Sequence, residues 1–375
     1  MMQDPDRKAA YLQTATIKPS LLLEGETPRL LDEWQIAPIL WDAVRFTVDQ
    51  RDKTGQFILT GSAVPADNTT AHTGTGRISR LRMRPMSLFE SQESTGSASL
   101  KKLFYESADI AGINPVSIEK LAAIIIRGGW PASVHANGEE AEKRSRDYID
   151  AVINQDISRI DNVEKSPGKV NALMRSLARN ISTEATMTTL KNDIEGYDES
   201  ITLPTVSSYL NALERIFVIE DLPAWNPSLR SKTPLRTTPK RHFVDPSIAA
   251  AAMGISAKRL LDDFKTFGYL FESLCIRDLR IYSEALNGNV YHYRDKTGLE
   301  SDAVIVLRDG YWAAVEVKMG ANEFDSAAEN LKKFVNRVNT NKMREPSFLM
   351  ILSATEFAYR RKDGIFVVPL GCLKP

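Results

Sequence analysis

The sequence has no excess of charge, since 48 Lys and Arg balance 48 Asp and Glu across its 375 residues. A protein that binds nucleic acid over its whole surface needs surplus cations, so any such surface here must be local. Cysteine is scarce, and Cys275 and Cys372 give neither a disulfide framework nor a zinc-binding spacing. No signal peptide and no apolar run of membrane-spanning length is found, which predicts a cytoplasmic protein without a membrane partner.

The composition is that of an ordinary globular protein, with 43% hydrophobic and 8% aromatic residues. A chain of this length can form two or three domains, each with its own core. Short apolar strands and amphipathic helices both occur along the chain, so we expect a multidomain α/β protein.

Three charged residues lie at the ends of two apolar strands in the segment 299–320. The strand that starts at Asp302 runs to an Asp-Gly turn signal, and a second strand returns antiparallel to Lys318. Because side chains alternate along a strand, Glu316 and Lys318 share one face. A carboxylate pair for a divalent cation, with an amine beside it, is what phosphodiester hydrolysis by a metal-bound water requires.

Near the N-terminus, a short apolar strand is stopped by two adjacent acids, Asp32 and Glu33. This is the form of a Walker B element, in which Asp32 would hold Mg²⁺ and Glu33 would polarise the attacking water. Acids are common at strand ends, so a structural role is the alternative. The next apolar strand ends in Thr60 and Ser62, hydroxyl groups that suit the sensing of a γ-phosphate from a neighbouring strand.

The segment 75–90 is rich in arginine. Arg80, Arg82 and Arg84 alternate with apolar residues, which predicts a strand with one cationic face. One interpretation is an edge strand that charge protects from aggregation. The other makes Arg77 a phosphate contact, and if a neighbouring subunit supplies an arginine to an ATP site, Arg77 or Arg80 is the candidate.

Taken in order, the motifs of the chain resemble those of the AAA-type ATP-binding family of prokaryotes, whose members carry a C-terminal domain described as of unknown function. The matching segments are LLDEWQ, ILTGSA and GRISRLRMRPMSLFE, then RGGWP, YIDAVINQDI and the segment 224–254 with its FVD. The resemblance covers nearly the whole chain and implies ATP hydrolysis with Mg²⁺. Asp32, Thr60, Ser62 and Arg77 would bind the nucleotide or its metal, and Glu33 would be catalytic.

The family's phosphate loop, GxxxxGK[ST], does not occur in this sequence. Its backbone N–H groups and lysine cradle the phosphates, so ATP binding without it is expected to be weak. Residues 4–10 resemble the stretch that follows the loop in the family. We therefore expect residues 1–92 to form a partial P-loop NTPase (AAA) core, either because the start codon is misassigned or because the ATPase is a remnant.

Residues 93–168 are expected to form a helical lid or linker region, and residues 169–225 a winged helix of three helices and a strand. By position, the third helix would read DNA. Residues 186–216, however, carry two cations against five acids, a net charge of −3. Because a helix in a DNA groove needs cations to offset phosphate, a protein or interdomain contact is favoured over DNA reading.

The segment 226–241 contains five cations and no acid. These cations are Arg230, Lys232, Arg236, Lys240 and Arg241. They predict contacts with DNA phosphates, and a solvated flexible linker is an equally weighted alternative.

Residues 226–375 are predicted to follow the order helix, three strands, helix, strand, which resembles the PD-(D/E)XK nuclease fold. By this resemblance, Asp302 and Glu316 would ligate Mg²⁺ and Lys318 would orient or activate the water. Glu272, on the first helix, would assist metal binding. The structural alternative is a same-face pair of Glu316 and Lys318, with Asp302 as a strand cap.

Two functions from different classes follow from the sequence. The first is an enzyme, an AAA-type ATPase with a C-terminal domain that cleaves DNA with Mg²⁺. The second is a non-catalytic regulator that binds nucleic acid or a protein, with a degenerate ATPase and a nuclease fold kept as a surface. An oligomer is compatible with either function.

Overall fold

A computed structural model describes residues 4–62, 75–106, 110–136, 138–159, 165–196, 201–227, 238–338 and 343–375 of the chain. The architecture is mixed α/β, as predicted, and the chain divides into two compact units. The first contains residues 1–83, 155–164 and 211–217, and the second contains residues 84–154, 165–210 and 218–375.

The first unit is built on a two-stranded parallel sheet. Its helices are α1 (Lys8–Ile17) and α2 (Ile39–Arg51), and its strands are β1 (Arg29–Asp32) and β2 (Phe57–Thr60). Both predicted strands are therefore confirmed. Helix α2 packs on β1 through Val44 and Leu31, which are buried. On the other face, Leu30 and Ile58 lie side by side and are 54% and 51% exposed.

The strand predicted in the arginine-rich segment 75–90 is wrong. Residues 78–87 form no strand, because their arginines are bound individually by distant groups instead of sharing one face. The guanidinium groups of Arg80 and Arg82 lie over aromatic rings, and that of Arg84 is held by two carboxylates. The partners are Trp41 for Arg80, Phe217 for Arg82, and Glu220 and Glu284 for Arg84.

Further helices follow along the chain. They are α3 (Leu100–Tyr105), α4 (Ile118–Arg127), α5 (Pro131–Val134), α6 (Gly138–Ala151), α7 (Ile157–Arg159), α8 (Pro167–Arg179), α9 (Met187–Glu195), α10 (Leu203–Arg215), α11 (Pro246–Met253), α12 (Ala257–Asp262), α13 (Phe264–Glu284) and α14 (Phe324–Arg337). A π-helical turn, Val152–Asp156, follows α6. Within the described ranges, none of the helices has both the length and the apolar character that crossing a membrane requires.

The main sheet of the second unit has seven strands in the order β4-β9-β10-β8-β7-β6-β5. The strands are β4 (Gly112–Ile113), β5 (Gly288–Arg294), β6 (Glu300–Leu307), β7 (Trp312–Lys318), β8 (Leu349–Ser353), β9 (Phe357–Arg360) and β10 (Phe366–Pro369). Strands β5, β6 and β7 are antiparallel, whereas β7, β8 and β10 are parallel. The predicted hairpin of β6 and β7 is confirmed, and Gly310 in its turn has the positive φ of 86° that glycine tolerates.

Two helices cover the hairpin and bury nearly all of it. Helix α14 has apolar residues at i, i+3, i+4, i+7 and i+10, the spacing of one helical face. These residues are Phe324, Ala327, Ala328, Leu331 and Phe334, and they pack with Val304, Trp312 and Ala314 of the hairpin. Helix α13 also packs on β5, β6 and β7. The predicted order of helix, three strands, helix and strand is observed as α13, β5, β6, β7, α14 and β8, while the nuclease fold itself stays a prediction.

The three helices predicted between residues 169 and 216 are observed as α8, α9 and α10. The strand predicted as part of the winged helix is reduced to two isolated antiparallel bridges, which join Ile219 to Phe243 and Leu222 to Lys240. The winged-helix fold therefore stays a prediction. Helix α11 packs against α4, α6 and α8, so segments that the sequence assigned to three regions share one helical layer.

The end of the chain is held by residues near position 98. Strand β3 (Ala98–Ser99) pairs in parallel with β11 (Leu373–Lys374). The Ser99 hydroxyl also donates a hydrogen bond of 2.9 Å to the Pro375 carbonyl oxygen. These short pairings have no sequence pattern of their own and were not predicted.

Candidate functional site

Asp32 and Thr60 meet at the carboxyl ends of β1 and β2. The strand register places them opposite each other, and the Thr60 hydroxyl donates a hydrogen bond of 2.7 Å to Asp32 Oδ1. Both side chains are only partly buried. Parallel strands end at the same edge of a sheet, which is why the predicted Mg²⁺ ligand and the predicted phosphate sensor lie together.

Glu33 follows Asp32 in left-handed backbone, with φ 55° and ψ 45°. This conformation is uncommon for a residue of this type and costs about 1–3 kcal/mol. The Gln35 side-chain amide donates to Glu33 Oε2, and the Ser62 hydroxyl lies 3.5 Å from the same oxygen. Three of the predicted ATP-site residues, Glu33, Thr60 and Ser62, are therefore close to Asp32.

Arg77 contacts a residue of α2. Its Nε donates a hydrogen bond of 2.8 Å to Asp49 Oδ1, on α2, so its described partner does not lie at the strand ends. Arg80 lies over the ring of Trp41, 5.6 Å from its centroid. The roles of Arg77 as a phosphate contact and of Arg77 or Arg80 as an arginine finger stay predictions.

A second group of charged side chains lies inside the second unit. The register of β6 and β7, which pairs Ala303 with Val315, places Asp302 opposite Glu316. Lys318 Nζ is 3.1 Å from Glu316 Oε2 and 3.7 Å from Asp302 Oδ2. Like charges opposite each other destabilise a sheet unless a cation lies between them. The structure thus brings together the three residues predicted on the hairpin.

Glu272, the fourth predicted residue, joins this group through Lys240. The Lys240 ammonium donates hydrogen bonds of 2.7 Å to Glu272 Oε1 and 3.1 Å to Asp302 Oδ1. Only 6% of Lys240 is exposed. Sequence reasoning did not place Lys240 in the site, because it lies 32 and 62 residues from these partners and no local pattern joins them.

The prediction that Lys240 and Arg241 contact DNA phosphates is wrong. Arg241 is 7% exposed, pairs with Asp221 through Nη1, and donates 2.9 Å from Nε to the Ala185 carbonyl oxygen. A cation that is buried and paired inside the protein has no charge to offer an external phosphate. The other three predicted contacts lie outside the described residues. They are Arg230, Lys232 and Arg236.

Asn330, on α14, is a further residue of the cluster that the sequence did not reveal. Its side-chain amide donates hydrogen bonds of 2.8 Å to Glu316 Oε1 and 2.7 Å to the Glu300 carbonyl oxygen. The amide therefore fixes the rotamer of Glu316. A polar residue on the helix that covers the sheet is a weak sequence signal, since exposed polar residues are common on helices.

The carboxyl groups of the cluster differ in the direction of their pKa shifts. Burial, together with the charge of Asp302, raises the pKa of Glu316 to about 8, and burial raises the pKa of Glu272 to about 7. Burial also opposes the charge of Asp302, but Lys240 and Lys318 outweigh it and lower the pKa of that carboxyl. The carboxylates Glu272 and Asp302 in turn raise the pKa of Lys240 in spite of its burial. Burial and the neighbouring charges therefore shift the pKa values of Asp302 and Glu316 in opposite directions.

The two sites differ in how they fit a divalent cation. Asp32 and Thr60 offer oxygen atoms at a partly open edge, which suits Mg²⁺ bound by one or two carboxylates and by substrate phosphates. In the cluster of Glu272, Asp302 and Glu316, lysine ammonium groups already lie against the carboxylates. Across the described ranges, no group of three or more His, Cys, Asp or Glu is arranged to hold a metal. The cluster does not fit Mg²⁺ in this arrangement.

Three families match different parts of the chain. Residues 2–92 match the AAA domain. Residues 118–259 match a domain of unknown function (DUF8612), and residues 267–373 match a second domain of unknown function (DUF4143). The first match supports the predicted AAA type for the N-terminal part of the chain. The winged-helix and nuclease resemblances stay predictions.

Among solved structures, the chain is similar to one from a half-complex of the tetradecameric assembly of Thermococcus gammatolerans McrB AAA+ hexamers with bound McrC. The two are 12% identical, with a TM-score of 0.20, over 54% of this chain and 70% of that chain. No curated protein matches the sequence.

Proposed function

We propose that the chain is an AAA-type ATPase whose N-terminal unit supplies the part of an ATP site that orients the metal and the water. The observation that carries this proposal is the hydrogen bond between Thr60 and Asp32 at the shared edge of two parallel strands. The left-handed backbone of Glu33, directly after Asp32, adds support.

Each residue of this edge has a defined task in the proposal. Asp32 would hold Mg²⁺ with the Thr60 hydroxyl beside it, and bound Mg²⁺ neutralises charge on the phosphates. Glu33 orients the attacking water and accepts its proton, because its carboxylate follows the metal ligand directly. Gln35 and Ser62 contact the Glu33 carboxylate and hold it in place.

The test is ATP hydrolysis by the wild type and by Glu33→Gln, Asp32→Asn and Asp52→Asn, followed as phosphate release. We expect Glu33→Gln to lower the rate by about 10²–10⁴-fold, the usual contribution of a general base, while nucleotide binding persists. Asp32→Asn should lower both binding and rate. Asp52→Asn is the matched control, since Asp52 is an exposed acid that ends α2 in the same unit. Equal rates for wild type and Glu33→Gln, or no hydrolysis by the wild type, would contradict the proposal.

For the second unit we propose a module without catalytic activity. The competing function is DNA cleavage with Mg²⁺. The observation that favours the module is the Lys240 ammonium between Glu272 and Asp302. The nicking of supercoiled plasmid in the presence of Mg²⁺ distinguishes these two functions. The assay compares the wild type with Asp302→Ala and Lys318→Ala. We expect the same background from all three. Nicking by the wild type that both substitutions abolish would establish the nuclease instead.

A further inference from the structure

Internal donors contact most oxygens of the carboxylate cluster in the second unit. Glu272, Asp302 and Glu316 together present six carboxyl oxygens, of which five have a described partner. Lys240 contacts Glu272 Oε1 and Asp302 Oδ1. The Val317 N–H donates 2.9 Å to Asp302 Oδ2, and the remaining contacts come from Lys318 and Asn330.

Lys240 lies where a cation shared by Glu272 and Asp302 would have to lie. Its ammonium is 2.7 and 3.1 Å from one oxygen of each carboxylate, and Mg²⁺ would need those oxygens at about 2.0–2.1 Å. An ion bound to both of these oxygens would occupy the space that the Lys240 ammonium fills. Ammonium and metal therefore exclude each other.

The backbone around Lys240 keeps this ammonium in place. The Lys240 N–H donates 3.0 Å to the Leu222 carbonyl oxygen, and the Leu222 N–H donates 2.8 Å to the Lys240 carbonyl oxygen. The next residue, Arg241, donates its N–H to the Thr183 carbonyl oxygen at 2.8 Å. The Lys240 side chain is 8% exposed, so its amine can leave only if the side chain moves out of the interior.

We propose that Lys240 is a built-in counter-cation that excludes divalent metal from the cluster of Glu272, Asp302 and Glu316. The carboxylates keep the oxygen donors of a Mg²⁺ or Mn²⁺ site, and Lys240 supplies the positive charge that the metal would bring. Removal of its amine then opens a divalent-cation site in this chain. This proposal is independent of the ATPase proposal, which concerns the first unit.

The probe is Mn²⁺ alone, and the bound ion is counted from the loss of the free Mn²⁺ EPR signal. Every protein carries Asp32→Asn, so that metal bound by the first unit does not enter the count. The parent is compared with Lys240→Met, Lys318→Met, and Lys240→Met combined with Asp302→Asn. Lys318→Met is the matched control, because it removes the cluster's other amine, which is 24% exposed.

We expect Lys240→Met to bind one Mn²⁺ at least tenfold more tightly than the parent. Addition of Asp302→Asn should abolish that gain, and Lys318→Met should give a smaller gain than Lys240→Met. A parent that already binds Mn²⁺ as tightly as Lys240→Met would overturn the proposal. A folded Lys240→Met with no gain, or a gain that survives Asp302→Asn, would also overturn it.

Two further measurements keep the test decisive if Lys240→Met does not fold, which near-UV circular dichroism reports. Lys240→Gln keeps a polar side chain of similar length, and the same tenfold gain is expected from it. In the parent, the rate at which an amine-reactive reagent labels Lys240, followed by peptide mass spectrometry, should be slow and unaffected by Mn²⁺. Labelling that Mn²⁺ accelerates would mean that metal displaces the lysine, contrary to the proposal.

Discussion

Replacing Asp245 with alanine is expected to lower the free energy of unfolding by about 3–5 kcal/mol, the effect of breaking a buried ion pair. The Asp245 side chain is completely buried. Its Oδ2 accepts a hydrogen bond of 2.8 Å from Arg277 Nη1 and one of 2.9 Å from the Gly129 N–H. Its Oδ1 accepts 2.9 Å from the Ser247 N–H and caps α11. One carboxylate thus joins a loop, the start of α11 and the middle of α13.

Most of the stability lost in Asp245→Ala is lost at Arg277, which is 2% exposed and stays charged. Without Asp245 it keeps only Asp278 as a described carboxylate partner, and an incompletely paired buried charge is strongly unfavourable. Combining Asp245→Ala with Arg277→Met should therefore destabilise by less than the sum of the two single substitutions. Urea denaturation followed by tryptophan fluorescence gives the three values.

Asp263→Ala is the matched control for Asp245→Ala. Asp263 also caps a helix, since its carboxylate accepts 3.1 Å from the Thr266 N–H at the start of α13, but its side chain is exposed. Loss of an exposed cap costs about 1 kcal/mol. If Asp245→Ala loses no more stability than Asp263→Ala, the ion pair does not carry the effect assigned to it.

The second prediction concerns acid stability and His292. The imidazole is fully buried, and burial, assisted by the charge of Lys240, lowers its pKa to about 4 from its ordinary 6.5. Between these two pH values, the unfolded chain therefore binds a proton at this histidine and the folded chain does not. The contribution of His292 to stability is present above pH 6.5 and is lost as pH falls towards 4. Between pH 7 and pH 5, we expect this histidine to remove about 2 kcal/mol of stability.

The measurement is a difference between variants, because other groups titrate in the same range. Burial raises the pKa of Glu272 to about 7 and that of Glu316 to about 8, so these carboxyls stabilise the fold as pH falls. Between pH 7 and pH 5, the unfolding free energy of His292→Gln should fall by about 2 kcal/mol less, or rise by about 2 kcal/mol more, than that of the wild type. His135→Gln is the control, since His135 is exposed. An equal pH dependence in both variants would refute the assignment to His292.

Local patterns in the sequence predicted the parts of both sites that local physics determines. Alternation and an Asp-Gly turn were enough to find the hairpin, and the hairpin places Asp302 opposite Glu316. Two acids after one short strand and hydroxyls after the next were enough to bring Asp32 to Thr60. In each case, the pairing follows from strand periodicity and from the direction of the strands.

Partners far apart in the sequence were not predictable in the same way. Arg84 looked like one of several cations on a strand, but its carboxylate partners are 136 and 200 residues away. Lys240 looked like part of a basic linker, although its charge is neutralised in the interior. The charge of a segment can be neutralised by distant residues in the folded protein. No pattern within residues 226–241 indicates those partners.

Close contacts in the fold explain the two glycines of the RGGWP motif. A Cβ atom on Gly128 would come within 2.4 Å of Ser247 Oγ, and one on Gly129 within 2.2 Å of the Met86 carbonyl oxygen. The Gly129 N–H donates to the buried Asp245. Both glycines allow a close backbone approach that any side chain would block. The sequence showed the motif, and the fold shows which contacts require it.

The pairing of β3 with β11 sets an order of events during synthesis. Ser99 binds Pro375, 276 residues further along the chain, so the edge formed by these strands stays unpaired until residues 373–375 have been made. At about 5–20 residues per second, that interval is roughly 15–55 s. Throughout it, β3 has no partner strand, and an unpaired strand edge is prone to pairing with other chains.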